Sequence, residues 1–301
     1  MKILVTGING FIGRHLASSL IAKGHYVVGL GRQRECQVPG VFAYFCGDVL
    51  DKRILEDAVE DADAVVHLAA LTAHKDIVNN KFAALETNFM STKNALDVFL
   101  KSASCKKFIY SSSGKVYGDI KALPITEDHP TAPLNILGKS KLITEKLIDY
   151  YSDPKVPKSY IVLRIFNVYG PEQKDNFLVP TILSQARKSS VIDLGDIKAK
   201  RDYTYVDDVV DAFIMAIEKG TSCGLSVYNI CSGRPASAEE IVSIVSKIKG
   251  SSIKINANPA MIRRDERDEE YGSYRKAKKE LGWEPKVGLE TGLEKTFKNP
   301  R

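Results

Sequence analysis

The start of the chain decides its fold: Met1-Lys-Ile-Leu-Val-Thr-Gly-Ile-Asn-Gly-Phe-Ile-Gly13. Residues 3–5 are a short apolar run, which is typical of a parallel strand buried on both faces. A turn with glycines at positions 7, 10 and 13 follows, and from Phe11 onward apolar residues recur at the spacing of a helix. The pattern predicts a strand, a glycine-rich turn and a helix that begins where the turn ends.

A strand, turn and helix in this order can bind a pyrophosphate. Because glycine has no side chain, the backbone can approach the ligand, and the free N–H groups and dipole of the first helical turn favour its negative charge. We therefore expect a nucleotide to contact Gly7, Gly10, Phe11, Ile12 and Gly13. A turn with a purely structural role is the alternative, since glycine-rich turns also occur in ordinary loops.

The composition of the 301-residue chain, with 44% hydrophobic and 27% charged residues, is ordinary for a soluble globular protein. Its length suffices for one large α/β domain with a smaller addition. The formal net charge of +6 is spread along the chain, so it does not favour a nucleic acid partner. No apolar run approaches the roughly 20 residues that span a membrane. Because a strand begins at Lys2, we expect no signal peptide.

The cysteines indicate the compartment. There are five, at positions 36, 46, 105, 223 and 231, and their spacing is not that of metal ligands. We therefore expect reduced thiols, no metal site and a cytoplasmic location.

Strands and helices alternate along the chain, which predicts a doubly wound parallel sheet with helices on both faces. We expect residues 1–166 to form a dinucleotide-binding domain and residues 167–301 to be mainly a substrate-binding part that is interleaved with the sheet. The predicted strands are residues 3–5, 26–30, 41–45, 64–68, 107–111, 159–164 and 227–230. The predicted helices begin at residue 11 and cover residues 53–59, 88–101, 138–151, 179–188, 207–218 and 238–248.

The spacing Gly-x-x-Gly-x-x-Gly resembles the fingerprint of the extended short-chain dehydrogenase/reductase family, whose members mostly modify nucleotide sugars. Further motifs extend the resemblance over nearly the whole chain. It implies a Rossmann-type α/β fold with a smaller C-terminal substrate-binding part, a nicotinamide cofactor, a nucleoside-diphosphate sugar as substrate, and a homodimer.

The end of the second strand bears on the choice of cofactor. A carboxylate there would accept a hydrogen bond from the ribose 2′-hydroxyl of NAD, but this chain has Gly31, followed by Arg32 and, close by, Arg34. Without the acid a 2′-phosphate is not repelled, and a guanidinium can bind it through two hydrogen bonds. The pattern favours NADP. Alternatively, both arginines are solvated and NAD binds.

Other residues match family positions around the cofactor. Asp48 and Val49 resemble the residues beside the adenine, although Asp48 could instead cap a helix. The turn Leu68-Ala-Ala70, which includes Ala69, resembles the small-residue turn under the cofactor, although tight sheet packing would also explain it. Asn88 matches an asparagine with a structural role.

Phe108-Ile-Tyr-Ser-Ser-Ser-Gly-Lys-Val-Tyr-Gly118 resembles the strand that carries the catalytic Ser or Thr. The matching residue is Ser113, whose hydroxyl would bond to the reacting oxygen of the substrate. Gly114-Lys115 stands where sugar 4,6-dehydratases have Asp-Glu, which argues against a dehydratase. We interpret Lys115 as a solvated or phosphate-facing residue.

The family also needs Tyr-x-x-x-Lys on one helix face, with the Lys holding the nicotinamide ribose and lowering the Tyr pKa. Lys141 matches the Lys, but the Tyr position is Leu137, which cannot carry a proton. Three explanations remain open. The protein binds nucleotides without ordinary redox turnover, another group such as Lys115, Tyr117 or the substrate handles the proton, or position 137 is altered.

Two further segments resemble the substrate side of the family site. Leu163-Arg-Ile-Phe-Asn-Val-Tyr-Gly-Pro171 places Asn167 at the substrate, and Lys200-Arg-Asp-Tyr-Thr-Tyr-Val-Asp-Asp208 places Arg201 at its diphosphate. In Met261-Ile-Arg-Arg-Asp-Glu266, Arg263 matches a second phosphate ligand, with Arg264 as the alternative.

The resemblance implies an NAD(P)-dependent nucleotide-sugar epimerase that acts at C4 through a 4-keto intermediate. An NADPH-dependent nucleotide-4-keto-sugar reductase is the first alternative, supported by Gly31 and Arg32. A catalytically silent nucleotide-binding homologue is the second alternative, supported by Leu137.

Overall fold

A computed structural model describes residues 1–72, 80–118, 120, 122–220, 223–258 and 268–299. The strands are β1 (Lys2–Thr6), β2 (Tyr26–Gly31), β3 (Ala43–Cys46), β4 (Ala64–His67), β5 (Lys107–Ser113), β6 (Ser159–Ile165), β7 (Asn167–Tyr169), β8 (Val191–Leu194), β9 (Lys200–Tyr205), β10 (Gly224–Ile230), β11 (Pro235–Ala236), β12 (Lys254–Ala257) and β13 (Glu269–Glu270). The helices are α1 (Phe11–Ala22), α2 (Lys52–Val59), α3 (Lys81–Lys101), α4 (Ile136–Tyr151), α5 (Leu178–Lys188), α6 (Val206–Lys219), α7 (Ala238–Lys249), α8 (Arg275–Leu281) and α9 (Leu289–Lys298).

The central sheet has seven parallel strands in the order β10-β6-β5-β4-β1-β2-β3. Helices α1 and α6 pack on one face, and α2, α3 and α4 pack on the other. The central strands are therefore covered from both sides, and this explains why Ile3, Leu4 and Val5 are all fully buried. The predicted doubly wound α/β fold is confirmed.

The strand order reverses between β1 and β4. From β1 the chain adds strands outward to β3, and then returns to place β4 on the other side of β1. In open α/β sheets the ligand crevice lies outside the carboxyl ends of the strands at such a reversal. The glycine-rich turn follows β1 and the turn 68–70 follows β4, so both lie at this crevice.

The remainder of the chain after β6 forms small sheets, with β11, β9, β13 and β7 in one and β8 and β12 in another. However, β10 leaves this region and pairs with β6 in the central sheet, from Gly224 opposite Ser159 to Ile230 opposite Ile165. The division at residue 166 stays a prediction. Within the part of the chain described above, no helix is long and apolar enough to cross a membrane.

Candidate active site

The glycine-rich turn is shaped by close backbone packing. Gly7 has a left-handed backbone with φ of 70°, and a Cβ there would lie 2.9 Å from the backbone nitrogen of Ala69. A Cβ at Gly13 would overlap the carbonyl oxygens of Gly7 and Ile8. Helix α1 begins directly after Gly10, and no side chain caps it. The first-turn amides thus face the crevice over a surface without side chains, which fits a pyrophosphate.

The turn after β4 is tied to the turn after β1. The Thr6 hydroxyl bonds to His67 Nδ1 and accepts a hydrogen bond from the Ala69 amide at 3.2 Å. Leu68, Ala69 and Ala70 are half-buried beside the glycine turn. The tight packing that we considered as an alternative is therefore present, and it leaves a small-residue surface at the same crevice.

The loop after β2 is organised by a residue that our sequence analysis missed. The Asn9 amide donates to Gln33 Oε1 at 3.2 Å and to the Tyr44 hydroxyl at 3.3 Å. Its oxygen accepts from the Gln37 backbone amide at 2.9 Å. Arg32 is exposed on this loop. Asn9 lies inside the glycine fingerprint, and that position was the one signal that could have identified it.

The Tyr44 hydroxyl occupies the space beside Gly31. It donates to the Gln33 carbonyl at 2.6 Å, and a Cβ at Gly31 would lie 3.1 Å from it. Any side chain at position 31 must therefore displace the phenol by a few tenths of an ångström. Burial raises the pKa of Tyr44, so the phenol stays protonated and can keep donating.

Asp48 is not the cap of α2. Its carboxylate accepts from the Leu50 amide at 2.9 Å, whereas Asp51 accepts from Arg53 at 3.0 Å and caps the helix. The alternative role that we considered for Asp48 is thereby excluded. Val49 is 9% exposed next to it, and contact with an adenine stays a prediction for both residues.

Asn88 holds three segments together. Its side chain pairs with both backbone groups of Leu71, at 2.7 and 3.1 Å, and donates to the Ser140 hydroxyl at 3.2 Å. It thus connects the chain after β4 to α3 and α4, as expected for a structural residue.

Ser113 and the ammonium of Lys141 both lie near the carboxyl end of β5. Ser113 is the last residue of that strand, and its hydroxyl accepts from the Lys115 amide at 3.2 Å in the 3-10 turn that follows. Lys141, on α4, donates through Nζ to the Ser111 carbonyl at 2.7 Å. Burial lowers the pKa of Lys141 to about 8, although Glu145 acts in the opposite direction. An ammonium and a hydroxyl therefore lie on the same strand end.

Leu137 is in the first turn of α4. The Asn135 side chain caps this helix by accepting from the Gly138 amide at 2.8 Å. Leu137 is half-buried and one turn before Lys141, so the two side chains share a helix face. A Cβ at Gly138 would overlap the carbonyl oxygen of Lys115, so α4 packs directly on the 3-10 turn after Ser113.

Tyr117 belongs to a buried network of hydrogen bonds. Its hydroxyl donates to Asn229 Oδ1 at 2.6 Å and accepts from Arg164 at 3.0 Å. The same guanidinium bonds to Glu145 at 2.7 Å, and Ser112 donates to that carboxylate. Tyr117 is 2% exposed, and burial raises its pKa. The phenol is therefore unsuited to replace the proton carrier missing at position 137.

The substrate-side residues lie on the small sheet. Asn167 Nδ2 donates to the Asp202 carbonyl at 2.9 Å, which ties β7 to β9. Arg201 is half-buried, pairs in register with Glu270 of β13, and donates to its neighbouring carbonyl at 2.9 Å. Arg263, like its alternative at position 264, lies outside the described residues. Binding of a diphosphate by these residues stays a prediction.

Comparison with known proteins identifies the family. The model of the family described as GDP-mannose 4,6 dehydratase matches residues 4–296. The chain belongs to this family. The resemblance to extended short-chain dehydrogenases/reductases is thereby confirmed, and the family comprises enzymes. The GDP-6-deoxy-D-mannose reductase of Pseudomonas aeruginosa is 31% identical over 301 residues, covering 97% of this chain and 94% of that protein.

Two solved structures of this family are similar over nearly the whole chain. The UDP-glucose 4-epimerase of Thermotoga maritima with UDP-glucose has a TM-score of 0.88 and 31% identity, covering 99% of this chain and 98% of that chain. RMD from Pseudomonas aeruginosa complexed with NADPH has a TM-score of 0.86 and 29% identity, covering 99% of this chain and 98% of that chain. This chain has Ser113 and Lys141 together with a leucine at position 137.

Proposed function

We propose that the protein is an NAD(P)-dependent nucleotide-sugar epimerase that acts at C4 through a 4-keto intermediate. The observation that carries the proposal is the placement of Ser113 and Lys141 at one strand end, with Lys141 Nζ 2.7 Å from the Ser111 carbonyl. This strand end lies at the carboxyl edge of the sheet, where the glycine-rich turn also lies. The names of the relatives, an epimerase and a reductase of nucleotide sugars, support the same reaction class.

The crevice fits a nicotinamide cofactor, because the glycine turn leaves a cradle that any Cβ would fill. Such a cofactor would supply hydride transfer. The turn at Gly7 would hold its pyrophosphate, Asp48 and Val49 its adenine, and Lys141 its nicotinamide ribose. Leu68, Ala69 and Ala70 would lie beneath it. We propose NADP as the preferred form, because Gly31 removes the acid that favours NAD and Arg32 is exposed beside it.

The protein side chains would bind and orient the sugar nucleotide. The Ser113 hydroxyl would donate a hydrogen bond to the oxygen at C4. Arg201 and Arg263 would hold the diphosphate, since a planar guanidinium matches phosphate oxygens, and Asn167 would contact the same ligand.

An NADPH-dependent 4-ketoreductase is the second candidate. Gly31 and Arg32 favour it, and so does the similarity to a reductase complexed with NADPH. A dehydratase is disfavoured, because the Lys115 ammonium replaces the acidic residue found in those enzymes.

We also propose a homodimer. Helices α3 and α4 expose apolar side chains, namely Met90 at 37%, Ile143 at 43% and Tyr150 at 87%. Mutual burial of these surfaces would stabilise a pair of chains. Light scattering coupled to gel filtration measures the mass, and a mass of one chain at micromolar concentration would contradict the proposal. The cytoplasmic location stays a prediction.

Turnover assays test the reaction. UDP- and GDP-hexoses are incubated with the purified protein and NAD⁺ or NADP⁺, and C4 epimers are separated by chromatography. A GDP-4-keto-6-deoxy sugar with NADPH tests the reductase through loss of cofactor absorbance. We expect epimers from the wild type and at least about 10²-fold less from Lys141→Met. Nucleotide binding without either reaction would instead support the catalytically silent homologue.

A further inference from the structure

Leu137 has no titratable group, so another residue of the site must carry the proton. Oxidation of a sugar hydroxyl releases a proton as well as a hydride, and a general base removes it. Tyr117 is held by Asn229 and Arg164, as described above. Lys141 is 4% exposed, its Nζ is bonded to the Ser111 carbonyl, and its proposed role is to hold the nicotinamide ribose. Neither of these two side chains is free to take that role.

Lys115 lies between the serine and the leucine. Its amide donates to the Ser113 hydroxyl at 3.2 Å, and its carbonyl packs against Gly138, the residue after Leu137. The side chain is 31% exposed, so part of it is in contact with solvent. Lys115 is thus a partly exposed side chain with transferable protons, two residues after Ser113.

Lys115 also has a partner that can take up a proton. Its Nζ lies 2.9 and 3.0 Å from the two carboxylate oxygens of Glu270, which is 4% exposed. Glu270 is on β13, paired in register with Arg201 on β9. A buried carboxylate is thus held against the ammonium of a partly exposed lysine, and the pair links the strand end with Ser113 to the strand with Arg201.

We propose that Lys115 and Glu270 form the proton relay that replaces the missing phenol. The inference rests on the proposed C4 redox reaction. In the oxidation, the C4–H bond breaks, its hydride passes to the nicotinamide and the C4=O bond forms. The hydroxyl proton passes to Lys115 Nζ while Nζ gives one of its own protons to Glu270. Reduction on the other face reverses both transfers, so one epimerisation leaves the relay as it began.

Lys115→Arg is the decisive variant. Arginine keeps the cation and the ion pair with Glu270, but it does not give up a proton in proteins. We expect turnover to fall by about 10²-fold or more, while the Kd for UDP or GDP changes by less than about threefold. Lys115→Met and Glu270→Gln should lower turnover similarly.

Rescue separates proton transfer from a structural role. Adding Leu137→Tyr to Lys115→Arg should restore turnover by at least about 10²-fold, because the phenol returns to its family position beside Lys141. Adding Leu137→Phe, which has the ring without the hydroxyl, should restore nothing. Thermal unfolding of each variant identifies any that do not fold, and Glu270→Gln then replaces Lys115→Arg as the test.

Each outcome decides a different point. Wild-type turnover by Lys115→Arg overturns the relay and leaves the proposed function standing. Loss of turnover without rescue by Leu137→Tyr also overturns it, since Lys115 then acts in another way. If neither the wild type nor Leu137→Tyr shows C4 turnover, the proposed function itself is rejected. Gain of turnover by Leu137→Tyr from an inert wild type rejects the relay and supports the catalytically silent homologue in place of an active epimerase.

Discussion

The Thr6 hydroxyl lies 2.9 Å from Nδ1 of His67, and this contact joins the two central strands at their carboxyl ends. Thr6 and His67 are paired in register in adjacent strands on either side of the strand-order reversal. His67 is 1% exposed, and its ring stacks on Tyr110 of β5 with the ring centroids 6.2 Å apart. The floor of the cofactor crevice is therefore fixed before any ligand binds.

The burial of His67 predicts a pH dependence of stability. Burial, assisted by Lys141, lowers the pKa of His67 from 6.5 to about 3. Between these values the unfolded chain binds a proton that the folded protein does not, so stability present above pH 6.5 is lost as the pH falls. Urea unfolding is measured at pH 7.5 and at pH 5.5. On this fall in pH, the free energy of unfolding of the wild type should decrease by about 1.4 kcal/mol more than that of His67→Gln. Equal losses in both proteins would contradict the prediction.

The strands of the central sheet were predictable because each contains a short run of mainly apolar residues. Every residue of β6 is buried, for example, and residues 160–163 are four consecutive apolar residues. The strands of the small sheets, β7, β8, β9, β11, β12 and β13, were missed. Of these, β11 and β13 have two residues each, too few for a periodic pattern. Helix α3 begins at Lys81 rather than at residue 88. Its first turn includes Phe82, which is 82% exposed and so does not follow the apolar face of the helix.

Sequence motifs located the candidate site, but not its internal bonds. Ser113 and Lys141 were found because each lies in a local motif. The contacts of Asn9 with Gln37, and of Lys115 with Glu270, join residues that are 28 and 155 positions apart. No local pattern specifies such a pair, since it depends on how strands from distant parts of the chain are arranged in space.

The buried ion pair of Glu145 and Arg164 should be needed for stability. The two side chains are 7% and 9% exposed and lie 2.7 Å apart. Glu145→Gln leaves a buried guanidinium without its counter-charge, so we expect a loss of about 3–5 kcal/mol in the free energy of unfolding. Urea titration measures it, with Glu294→Gln as the control. Glu294 pairs with Lys298 at the surface, and there the loss should stay below about 1 kcal/mol.

Arg201 should contribute to nucleotide-sugar affinity. A charged hydrogen bond to a diphosphate contributes about 1.5–3 kcal/mol, so Arg201→Ala should raise the Kd for UDP or GDP by about tenfold or more. Isothermal titration calorimetry gives the constants. Arg53→Ala removes an exposed arginine on α2 and should change nothing. If neither nucleotide binds the wild type at about millimolar concentration, the nucleotide-sugar assignment fails.

Cofactor preference should depend on the loop that Asn9 holds. NADP(H) should bind more tightly than NAD(H), because no acid at position 31 repels the 2′-phosphate and the Arg32 guanidinium can bind it. Arg32→Ala removes that charged bond, so the Kd for NADP(H) should rise by about tenfold while that for NAD(H) stays constant. Calorimetry with both cofactors measures the ratio, and Arg275→Ala on α8 serves as the charge-matched control. Equal affinities in the wild type, unchanged by Arg32→Ala, would refute the preference.

The converse change tests the role of Gly31 and depends on Tyr44. An aspartate at position 31 would place a carboxylate to accept the ribose 2′-hydroxyl of NAD, but its Cβ would lie 3.1 Å from the Tyr44 hydroxyl. Tyr44→Phe removes that hydroxyl and its bond to the Gln33 carbonyl. We therefore expect Gly31→Asp with Tyr44→Phe to bind NAD(H) more tightly than Gly31→Asp alone, and both variants to lose NADP(H) affinity. Unchanged NADP(H) affinity in both variants would show that position 31 does not face the 2′-position.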